Sequence, residues 1–175
     1  VPASDRKTMR VYVPATVPML RELVDKRVLH AVGGTAFALT PALREAYASG
    51  DDEELAEVAM AEAARAALRL LAEEVHGSTT PMYRRAVIAV DVEGATLRPD
   101  LDDAVVKLDG PIEYERIASV HLDLAEAEPA VAEAVDNVDA ADLGDEDAEF
   151  ILGDAEDHQL AWYATQELPF LVELL

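Results

Sequence analysis

Large apolar and other residues alternate along "MRVYVPA", whose valines and tyrosine suit a pleated surface, and this predicts a strand over residues 9–14. The period then changes: in "VPMLRELVDKRVL", Val17, Leu20, Val24 and Val28 fall at helical spacing. Gly33 and Gly34 end that excursion, and "TAFALT" (35–40) reads as a second strand. The β-α-β order predicts a parallel pair joined by a right-handed crossover. Thr40-Pro41 opens the next helix with a hydroxyl able to cap and a proline suited to the first helical position, and the helix stops at Gly50. A long helix through "DDEELAEVAMAEAARAALRLLAEEV" carries the stripe Val58, Ala61, Ala64, Leu68, Leu71 and Val75. Acids from Asp51 to Glu57 crowd its N-terminal end, where the helix dipole favours negative charge. Arg69 and Glu73, one turn apart, are expected to pair on its surface.

"YRRAVIAVDV" (83–92) has the continuous apolar middle of a buried central strand. "AVVKLDG" (104–110) and "IASVHLDL" (117–124) are shorter strands. "PAVAEAVDNVDAA" reads as a helix, "GDEDAEFIL" as a short helix or turn, and "DAEDHQLAWYATQEL" (154–168) as the last helix. This order predicts a single α/β or α+β domain over residues 9–175, with a mixed sheet of about five strands packed with helices. Residues 1–8 form a polar leader, expected to be disordered.

Drawn as a helix at about 100° per residue, the last stretch separates into two faces. Leu160, Ala161, Ala164 and Leu168 make a small aliphatic stripe. His158, Gln159, Trp162, Thr165 and Gln166 share the opposite face, and Tyr163 lies on its border. A lone tryptophan can be the plug that closes a core, or an anchor for a partner, since Trp and Tyr are favoured in binding hot spots. His158, Gln159, Trp162, Tyr163 and Gln166 are therefore the candidate partner-binding residues.

Charge decides which partners are compatible. The chain of 175 residues has a formal net charge of −22, yet 51% of its residues are hydrophobic, which separates it from disordered acidic tails. Residues 117–175 hold 16 acids and no lysine or arginine. Nucleic-acid backbones and anionic membranes would be repelled there, while basic partners, metal cations or simple solubility remain compatible, and the expected partner is another protein with a basic or apolar surface. No apolar run approaches the length needed to cross a bilayer, and the N-terminus lacks a signal-peptide pattern. Cysteine is absent, which removes disulfides and thiol nucleophiles and suits a cytoplasmic protein.

Catalytic chemistry finds few footholds. There is no H-E-x-x-H, and His30, His76, His121 and His158 occupy unrelated contexts, so no metal ligand and no cofactor are assigned. "DAADLGDEDAEF" fails the calcium-loop register because Leu143 precedes Gly144. Gly33-Gly34 precede a strand rather than a helix, and no serine lies in G-x-S-x-G. The alternative to a binding role is a small hydrolase or metal-dependent enzyme using the carboxylates of Asp91, Asp100, Asp102 and Asp103 after the central strand. No catalytic residue is assigned. "RPDLDD" is also ordinary turn and cap chemistry.

With "MRVYVPAT", "FALTPALREAYASGDDEELAEVAM" and "GDAEDHQLAWYATQEL" in view, the chain resembles an uncharacterised family of small acidic actinobacterial proteins, a domain of unknown function. The resemblance covers nearly the whole chain from Met9 and implies a cytoplasmic actinobacterial source. It transfers no activity, cofactor or catalytic residue. The expected role is a small acidic protein-binding or regulatory module.

Overall fold

In a computed structural model, which describes residues 8–175, strand β1 (Met9–Ala15) runs antiparallel to β4 (Ala86–Val92) along its whole length. Residues 1–7 of the expected leader lie outside the described residues. Around that pair, seven strands form one sheet in the order β5-β6-β3-β1-β4-β8-β9. The others are β3 (Thr35–Phe37), β5 (Thr96–Leu97), β6 (Val105–Lys107), β8 (Ile117–Leu122) and β9 (Ala161–Ala164). A separate ribbon joins β2 (Val28–Leu29) to β7 (Ile112–Glu113).

The α/β class stands, with seven strands in the main sheet in place of about five. Every pairing in it is antiparallel, including β1 with β3, where a parallel crossover was expected. The cause lies between them. Helix α1 (Val17–Lys26) ends at Arg27, which takes a left-handed φ of 60°. The chain then runs out into β2 and turns back through Gly33 and Gly34, both at positive φ. That extra reversal brings β3 home in the opposite direction. A side chain at Gly34 would also place its Cβ 3.1 Å from the Leu108 carbonyl.

The two faces of the sheet follow its period of two. Val11, Val13, Ile88, Val90, Val120 and Leu122 pack on one face with Leu20 and Leu23 of α1 and Leu168 of α6 (Leu168–Glu173). Tyr12, Phe37, Val87 and Ala89 face the other way, against Ala59 and Ala63 of α3 (Asp52–His76). The alanines let this helix lie close to the sheet. Its C-terminal half, Leu68 and Leu71, packs against Val131, Val135, Val138 and Leu152 of α4 (Glu128–Asp142) and α5 (Glu146–Glu156).

Local capping chemistry agrees with the sequence. Thr40 Oγ1 accepts from Leu43 N–H at 3.1 Å to start α2 (Pro41–Ala46). The side chain of Asp51 accepts from Glu54 N–H at 2.9 Å to start α3, and that of Asp145 from Ala148 N–H at 3.0 Å to start α5. The surface pair expected within α3 is replaced by a longer-range one. Arg69 Nε donates to Asp142 at 2.7 Å and not to Glu73. Arg65 joins the same carboxylate at 3.0 Å and Glu149 at 2.6 Å, tying α3 to both α4 and α5.

Candidate functional site

Residues 154–168 are not one helix. Helix α5 ends at Glu156, the chain turns through His158 and Gln159, and Ala161–Ala164 form β9. The stretch carries a helical stripe, but its Trp and Tyr suit a strand as well as a helix face. A side chain from elsewhere in the chain holds the helix end. Arg85 Nη2 donates to the carbonyls of Ala155 and His158, each at 2.9 Å, taking up acceptors that continued helix would have used.

Arg85 is itself anchored by a bidentate pair with Asp123. Its Nε and Nη2 lie 2.8 Å from the two carboxylate oxygens, and its backbone N–H donates to the same carboxylate at 2.8 Å. Both residues are buried, with Arg85 4% exposed and Asp123 fully enclosed. This fork joins the start of β4, the end of β8 and the end of α5. Local pattern does not reveal the pair, because its partners stand 38 residues apart.

Strand β9 then pairs antiparallel with β8 at the margin of the sheet, placing Trp162 opposite His121 and Tyr163 opposite Val120. Alternation sends these side chains to opposite faces. Tyr163 packs on the core beside α1 and α6, while Trp162 stands 61% exposed on the other face. Beside it, His121 Nε2 lies 3.0 Å from Ser119 Oγ. Burial holds the His121 imidazole below the usual histidine range, favouring its neutral form. Alternation in "IASVHLDL" separates Ser119 and His121 from Val120 and Leu122, a signal that could have flagged the pair.

The five candidate partner-binding residues therefore lie on an edge strand and in the connections on either side of it. Trp162 is exposed near its middle, and Tyr163 is turned inward. His158 and Gln159 lie in the connection before it, and Gln166 lies exposed in the 3-10 turn Thr165–Glu167 after it. Thr165 fixes that turn: its hydroxyl donates to the Ile117 carbonyl at 3.0 Å, and its own carbonyl accepts from the Tyr114 hydroxyl at 2.8 Å.

The carboxylates proposed for the enzymatic alternative do not converge. Asp91 lines an open groove of about 240 Å³ with Glu93, Asp109, Glu113 and Arg116, and Arg10 holds it at 2.7 Å. Asp100 instead forms a surface fork with Arg98 at 2.8–2.9 Å. Asp102 accepts from the Asp103 N–H at 2.7 Å, and the Asp103 carbonyl accepts from Thr40. Among the described residues, no three His, Asp or Glu side chains gather to hold a metal ion. No described helix is long and apolar enough to cross a membrane.

The fold and this margin define an α/β protein with a seven-stranded antiparallel sheet and an aromatic edge strand. The chain belongs to a family of unknown function, DUF6912, whose model matches residues 9–172. Neither the curated proteins nor the solved structures provided a match.

Proposed function

We propose that this chain is a protein-binding module, with Trp162 on β9 as the anchor of its docking surface. One observation carries the reading. The chain's single tryptophan is 61% exposed on a terminal strand, although a buried plug would be the usual use of so large a ring. Trp is over-represented among residues that dominate binding energy, and its few torsions limit the entropy lost on docking. The partner we propose has a basic or apolar surface, because residues 117–175 hold 16 acids and no lysine or arginine. A cysteine-free composition supports a cytoplasmic setting.

The test compares partner capture from native cytosol by the wild-type chain, by Trp162→Ala and by the groove variant Asp91→Asn/Glu93→Gln. The captured partner is then purified and its affinity for each protein measured. Trp162→Ala should lose the partner and the groove variant should keep it. The opposite ranking would overturn the assignment of the site.

A further inference from the structure

Both ends of the main sheet are edges, but they are built differently. β5 is two residues long, and Arg98-Pro99 follow it directly, so it offers little length for another strand to pair with. β9 is four residues long, reads Ala-Trp-Tyr-Ala, and contains no charge, proline or glycine. Edge strands are ordinarily blunted by such residues because half of their N–H and C=O groups face away from the sheet unpaired. Among the described residues, no strand lies beyond β9, and outside the ladder with β8 and the 3-10 turn that Ala164 caps, no backbone–backbone hydrogen bond involves Ala161–Ala164. The strand ends are nonetheless held firmly, by Arg85 on the His158 carbonyl and by the Thr165 contacts. The edge is therefore both open and rigid.

We infer that β9 receives an extended basic segment of a partner protein as an eighth strand of the sheet. The inference rests on the reading of Trp162 as the docking anchor. Charge complementarity selects the occupant. Exposed Asp154, Glu156 and Asp157 precede the strand and exposed Glu167 follows it, in a third of the chain that has no lysine or arginine. A second copy of this chain would instead bring one net charge of −22 against another. In strand addition the main-chain hydrogen bonds supply affinity, and alternate side chains supply specificity. An apolar residue of the incoming strand would lie beside Trp162 on the outer face. Lysine or arginine toward its ends would meet Glu156, Asp157 and Glu167.

The test selects short random displayed peptides on the immobilised chain, then follows binding of the synthetic winners by the fluorescence anisotropy of a dye carried on the peptide. The winners should carry a β-branched or aromatic centre flanked by lysine or arginine. N-methylation of alternate amides should weaken them by about tenfold in one phase and leave the other phase within about twofold. Equal tolerance in both phases, with Trp162→Ala still abolishing binding, would overturn strand addition and leave the docking surface intact. Binding unaffected by Trp162→Ala would overturn the docking surface itself. Failure to enrich any basic peptide, or a dimer in sedimentation that Ala164→Arg dissolves, would assign the edge to another occupant and overturn the inference.

Discussion

Trp162 lies directly across the β8–β9 ladder from His121, on the face of the sheet where His121 also meets Ser119 at 3.0 Å. Directly opposed side chains in an antiparallel pair stand within about 5.5 Å at Cβ, so the one tryptophan reports on one histidine. The folded imidazole titrates below its ordinary value of 6.5 because burial disfavours the cation. Unfolded chains therefore bind this proton first, and stability falls as pH drops from about 6.5 toward the folded value. Trp162 fluorescence should show a quenching step whose midpoint lies below 6.5. The step should vanish in His121→Gln. A midpoint at or above the ordinary value would contradict the buried setting of His121.

Arg85 and Asp123 should be the most damaging polar positions to separate. Asp123→Asn or Arg85→Met leaves the other charge buried, and breaking such a pair costs about 3–5 kcal/mol. Replacing both with apolar residues should cost less than either single change. Urea denaturation of the two singles and the double decides this. Independent, additive losses would mean that the fork is not acting as a unit.

Asp142 gives a separate pH signature. Hydrogen bonds from Arg69 and then Arg65 hold its carboxyl below its ordinary value of 3.8, so its contribution to stability is complete above that value and fades as pH falls through the lower folded one. The stability gap between wild type and Asp142→Asn should be constant from neutral pH to about pH 5 and close on further acidification. A gap that widened in acid would reverse the sign of this coupling. The partly exposed setting keeps the gap small, because solvent screens such pairs.

Trp162 and Leu168 should respond to truncation in opposite ways. Leu168 is fully enclosed beside α1, and Leu168→Ala should cost about 2–5 kcal/mol. Trp162→Ala should change stability by about 0.5 kcal/mol or less, as for ordinary surface positions. Chemical denaturation of both variants measures the difference. A Trp162→Ala protein as unstable as Leu168→Ala would make the indole a structural plug.

Added salt should raise the melting temperature. The chain carries 36 acids against 14 lysines and arginines, so repulsion outnumbers the attractive pairs that salt also weakens. Screening over about 8 Å at physiological ionic strength relieves part of it. A flat or falling melting temperature between low and physiological NaCl would count against this balance.

Much of the frame was legible from local pattern. The strand at Met9, the buried strand ending in "AVIAVDV", the long alanine-rich helix and the Thr40 cap all lie where their periods and capping residues put them. β2, β5 and β7, each two residues long, left no period to read. The last stretch failed for a different reason. Leu160, Ala164 and Leu168 line up on a helix, while the Trp and Tyr of Ala161–Ala164 suit a strand without showing its period. Arg85, reaching 73 residues to the His158 carbonyl, settles the competition.

The sequence by itself determined what depends on neighbours along the chain: the helical and pleated periods, the caps, and the concentration of acid after residue 116. Only the tertiary structure decided strand direction, the order of strands in the sheet, and which residues stand at its margin. Those properties depend on hydrogen-bond partners far apart in sequence, such as β8 against β9 and Arg85 against Asp123. Trp162 is exposed because it alternates away from the core on the last strand of the sheet. Its surroundings were set by that pairing and not by the residues beside it.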